Sequence, residues 1–145
     1  MFLNKTIIFS GFTACVMAEP PTLAAGTEVF VVPVAKYEPA DPQADFAEEQ
    51  MLKVTTTATE LGSGSFGRCY EVNVDKSTAL FTSTGERVEQ AVLKVIDLRF
   101  TDGERLRREL QINQYFSAIA PHPAIMKAYG MKWDQKNQLV YLLLE

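Results

Sequence analysis

The run Leu61-Gly62-Ser63-Gly64-Ser65-Phe66-Gly67-Arg68-Cys69, of the form G-x-G-x-x-G, constrains this chain more than any other stretch. Glycines at that spacing let backbone N–H groups approach an anionic oxygen with no side chain in the way. The residues immediately C-terminal to Gly67 decide among the folds that use such a run. Here Tyr70, Val72 and Val74 alternate with Glu71, Asn73 and Asp75, the pattern of a half-buried strand. A dinucleotide fold needs a helix directly after the glycines, with the pyrophosphate on its N-terminus, so the alternation argues against it. A Walker-type loop nearly fits the spacing but finds Arg68 where lysine belongs and Cys69 where the magnesium-binding hydroxyl belongs.

Downstream, Ala91-Val92-Leu93-Lys94 reads as an apolar strand carrying a lysine, reached through a long connection with Thr84-Gly85 as its turn. Thr101-x-x-Glu104 is a capping-box pattern, with Asp102 also suited to a first turn, and predicts a helix from there to about Ala118. Leu106, Glu109, Ile112, Phe116 and Ile119 fall near one face of it. Glu109 is the odd member, because burying an unpaired carboxylate costs several kcal/mol. It needs a cation, for which Lys94 is the natural candidate, or it faces water among Glu104, Arg105, Arg107 and Arg108 while Lys94 snorkels from a strand end. Gln135-Lys136-Asn137 then turns the chain into a last apolar strand, Gln138 to Leu144.

Strand, glycine turn, strand, lysine-bearing strand and glutamate-bearing helix, in that order, resemble the small lobe of protein kinases over roughly the last three-fifths of the chain. The glycine run matches the family's G-x-G-x-x-G-x-V with Cys69 for the valine, and Ala91 to Lys94 matches Val-Ala-Ile-Lys. Pro121-His122-Pro123-Ala124-Ile125 looks like the His-Pro-x-Ile segment leading to the next strand. The resemblance implies an α+β fold, a five-stranded antiparallel sheet with one main helix, over 58–145. It implies that Leu61 to Gly67 and Cys69 cover ATP, that Lys94 holds its phosphates and pairs with Glu109, and that Leu144 is the gatekeeper and Glu145 the first hinge residue. Magnesium and the acceptor hydroxyl are handled in that family by Asp-Phe-Gly and His-Arg-Asp loops, neither of which this sequence contains. The expectation is therefore the ATP-binding lobe of a Ser/Thr-directed protein kinase, phosphorylating a protein substrate only with a second lobe. The alternative is a non-catalytic half-domain that binds nucleotide or a partner.

The front of the chain differs in character. Residues 1–25 have one lysine, an apolar core from Thr6 to Ala18 and small residues at Val16-Met17-Ala18, as a signal peptide has, and are too short to span a membrane. Export is one expectation; the other is a cytoplasmic chain whose first residues form a buried strand or helix. Residues 26–57 read as a linker in which Val29 to Val34 adds an edge strand, its proline being poorly placed in a central one. Through Ala58 there are three lysines against seven acids, and beyond it eleven basic against eleven acidic residues. A neutral lobe offers no basic groove for nucleic acid. Two cysteines, Cys15 and Cys69, indicate no disulfide framework, and the single histidine, His122, lies between prolines as a turn residue does.

Overall fold

The computed structural model describes residues 22–42, 44–63, 67–82, 84–119, 124 and 126–145. The leader core, the centre of the glycine run and the Pro121 to Pro123 segment with His122 lie outside the described residues. Six strands form: β1 (Glu28–Pro33), β2 (Leu52–Ser63), β3 (Gly67–Val74), β4 (Gln90–Asp97), β5 (Ala128–Asp134) and β6 (Leu139–Leu144). They close into an antiparallel barrel in the order β1-β2-β3-β4-β6-β5. Between β4 and β5 a helix, α1 (Gly103–Gln114), runs on as a π turn over Tyr115–Ile119, giving 17 helical residues in all.

The open five-stranded sheet expected from the kinase resemblance is therefore corrected to a closed six-stranded barrel. Closure comes from β1, which is no edge strand. Glu28 to Val31 lie in register with β2, and the same strand then passes to β5, with Val32 opposite Met131 and Pro33 opposite Gly130. The proline is tolerated because it is the last residue of the strand, and the next amide, Val34, bonds Tyr129 O at 2.9 Å. Gly130 is required at this seam. A Cβ there would stand 2.7 Å from Val31 Cγ2 and 2.9 Å from the Val32 carbonyl oxygen, closer than packed atoms approach.

Period-2 alternation divides the apolar residues into two cores. Val29, Val31, Leu52, Val54, Tyr70, Val72, Leu93, Val95 and Leu143 fill the barrel, as side chains must in a barrel this small. Val88, from the connection between β3 and β4, is buried with them, so that connection contributes to the inner core. Val32, Ile96, Met131, Trp133, Val140 and Leu142 face outward and receive Leu106 and Leu110 of the helix. A register shift at Ala128 and Gly130 lets Tyr129 join the inner core while Met131 joins the outer one.

The helix starts one residue later than its capping-box pattern suggests. Asp102 is the N-cap, its carboxylate accepting from Glu104 N at 3.0 Å, while the Thr101 hydroxyl turns back to Asp97 O. The buried stripe also differs: it is Leu106 and Leu110, with Ile112 and Ile119 exposed. Among the described residues no helix is long and apolar enough to cross a membrane.

Candidate functional site

Strand register assembles the site. Gly62 lies opposite Cys69, Cys69 opposite Lys94, and Lys94 opposite Leu142, one row running across four strands. Directly opposed residues share a face of the sheet, so the row lies on the outer, helix-bearing face together with Leu142. Two strand spacings separate Gly62 from Lys94, about 10 Å. Gly62, the first glycine of the run, and the lysine of β4 are thus neighbours across one intervening residue, the half-buried free thiol of Cys69.

Lys94 points into a cleft of about 190 Å³ between β4 and the first turns of α1. Glu109 lines the same cleft, with Ile96, Phe100, Asp102, Arg105 and Leu106. The two residues expected to pair are therefore on one side of the sheet. In this structure, however, the Glu109 side chain is 55 % exposed and its carboxylate meets Arg105 Nε at 3.4 Å, one helical turn away. Among the described residues the Lys94 ammonium has no ion-pair or hydrogen-bond partner. Of the two readings of Glu109 open in the sequence, the solvated one describes this conformation. An exposed i,i+4 pair contributes only ~0.3–0.5 kcal/mol, so Arg105 holds Glu109 weakly.

The glycines divide by role. Gly62 is exposed, with nothing near the position of a Cβ. Gly67 is buried where β3 starts against β4, and a Cβ there would fall 2.0 Å from the Val95 carbonyl oxygen. Close backbone approach alone therefore demands a glycine at 67, whatever the loop binds. Leu61 and Ser63 are exposed beside Gly62, whereas Gly64, Ser65 and Phe66 lie outside the described residues. Leu144 ends β6 half-buried against the outer core, and exposed Glu145 exchanges two hydrogen bonds with Lys127, through its own amide and through its carboxylate.

One charged pair escaped the sequence reading. Asp97, at the end of β4, is 1 % exposed and grips the Arg99 guanidinium, Oδ2 to Nη2 at 2.6 Å and Oδ1 to Nε at 3.0 Å, while accepting Arg99 N at 2.9 Å. These hydrogen bonds, the Arg99 side chain foremost, hold its carboxyl below the usual carboxylate range despite burial. The pair fixes the turn leading from β4 to α1, and so the far wall of the Lys94 cleft. Only the i,i+2 spacing of opposite charges hinted at it.

Among the described residues no group of three histidine, cysteine or acidic side chains is gathered as a metal site. A scan against protein-family models gives no match to the chain, and no curated protein matches it.

Proposed function

We propose that this chain binds the phosphates of ATP at the row formed by the glycine turn and Lys94, as the nucleotide-holding part of a phosphotransfer system of protein-kinase type. One observation carries the reading: an ammonium with no partner among the described residues faces a cleft on the same sheet face, and in the same cross-strand row, as the exposed glycine near the end of β2. Such a cation beside backbone N–H groups freed of side chains suits a polyphosphate. Transfer itself needs a base and a metal-holding aspartate in loops of the kinds absent from these 145 residues. Binding without transfer is the second reading, favoured by a conformation in which Glu109 meets Arg105 and not Lys94.

The test is thermal unfolding with ATP, with and without magnesium. At ligand a hundredfold above Kd, binding to the folded chain adds roughly 2.7 kcal/mol of stability, an upward shift of several degrees. Lys94→Met is expected to fold as well as wild type and to lose the shift. An unshifted wild type, or an equal shift in Lys94→Met, contradicts the proposal. Incorporation of labelled γ-phosphate into a general protein acceptor separates transfer from binding alone.

A further inference from the structure

The helix changes pitch at the residue that ties it to the N-terminal part of the chain. Gln114 closes the α-helical part, and its Nε2 donates to two backbone carbonyls, Val34 O at 2.9 Å and Tyr37 O at 2.6 Å. Both belong to the segment that leaves β1, whose turn is closed by the amides of Lys36 and Tyr37 on Pro33 O. Five π-helical residues come after Gln114, and within them the Ser117 hydroxyl accepts Ala128 N at 2.8 Å, at the start of β5. A π segment widens the turn and re-aims side chains, and such segments mark positions under constraint. Here it allows two polar side chains, 114 and 117, to tether the end of one helix to the segment after β1 and to the start of β5.

Among the described residues the first half of the helix is held by packing, without a hydrogen-bonded tether of this kind. Leu106 and Leu110 pack on the outer core, but the flank bearing Arg105 and Glu109 borders the cleft. The segment after β1 carries an internal cost as well. Tyr37 is buried in the outer core, burial pushes its hydroxyl up to about 12, and its oxygen has no hydrogen-bond partner among the described residues. A buried, unsatisfied hydroxyl weakens the contact that it sits in.

We propose that residues 34–37 form a releasable strap: through Gln114 they lock the helix at its π joint, so that strap and helix open together as one cooperative unit while the barrel stays closed. Release leaves the helix held by Leu106, Leu110 and the Ser117 bond to Ala128, and the pivot this allows changes the approach of Glu109 to Lys94. That consequence for the cleft rests on the phosphate-binding role proposed for Lys94; the lock itself does not, and its test involves no nucleotide.

Hydrogen–deuterium exchange on the full chain reads the coupling. Gln114→Glu keeps the size of the side chain but removes both donors, and is expected to speed exchange about tenfold in 34–38 and in 106–119 alike, with β3 and β4 unchanged. Acceleration in only one of the two segments, in neither, or equally in β3 and β4 overturns the proposal. Tyr37→Phe removes the orphaned hydroxyl and keeps the ring, and so keeps the test decisive should Gln114→Glu fail to fold. It is expected to slow exchange severalfold in both segments together, and slowing in one alone or in neither overturns the lock.

Discussion

The two faces of β4 carry opposite kinds of information. Inward, Ala91, Leu93 and Val95 are sealed in a barrel core with no room for chemistry. Outward, Lys94 stands half-exposed between Ile96 and a cleft shared with the helix. Neighbouring residues on one strand thus stand in different surroundings, a close-packed core on one side and an open cleft on the other. Truncating Leu93 should lower stability, whereas substituting Lys94 should leave stability alone and, on the proposal above, change binding.

Leu93→Ala and Lys94→Met, adjacent in sequence, separate the faces most sharply. Leu93 is fully buried, so its truncation is expected to destabilise by about 2–5 kcal/mol, measured by denaturant unfolding. Lys94→Met is expected within ~0.5 kcal/mol of wild type, since it breaks no contact of the ammonium with the described residues. Comparable losses from both would dissolve the distinction between the faces.

The glycines extend the contrast. Gly67→Ala forces a methyl into the Val95 carbonyl and is expected to cost about 3 kcal/mol, with Gly62→Ala below ~0.5 kcal/mol. The same unfolding measurements check this, and a severe loss at Gly62 would place it among the packing glycines.

Asp97 supplies a smaller, pH-dependent effect. Its carboxyl is held low in the folded chain, so the stability that it contributes is complete above its unfolded value of about 3.9 and is lost as pH falls through the folded value. Asp97→Ala is expected to remove about 2 kcal/mol at neutral pH and to flatten the acid limb of the stability profile. An unchanged acid limb would assign that sensitivity to other carboxylates.

Individual strands were legible in the residues, but the barrel that they close was not. Alternation over Tyr70 to Val74 marked β3, the apolar run before Lys94 marked β4, and the last apolar run marked β6. Closure was not legible, because a strand that pairs first with β2 and then with β5 has the same local pattern as one left at an edge. Pro33 suggested an edge, while its position at the end of the strand made it harmless. Gly130, which makes room for β1, carries no local sign of that role.

The helix misled for a different reason. Its inward face continues from Leu110 through half-buried Gln114 to buried Ser117, polar residues that face in because backbone groups of other segments meet them. Apolar residues alone therefore rotated the stripe towards Ile112 and Ile119, which are exposed, and drew Glu109 onto it. At the candidate site the residue types and their order were visible in the sequence. The Arg105 contact and the structural need for Gly67 were not, since each depends on the neighbour one helical turn or one strand away.

Phosphate binding at the row from Gly62 to Lys94 is tested most directly by titrating the full chain with ATP and tracking its backbone amide resonances. The predicted shifts are concentrated at Gly62 to Cys69, at Lys94 and at Arg105 to Glu109, with β1 and β5 silent. Shifts that avoid that row, or none at millimolar nucleotide, would contradict it.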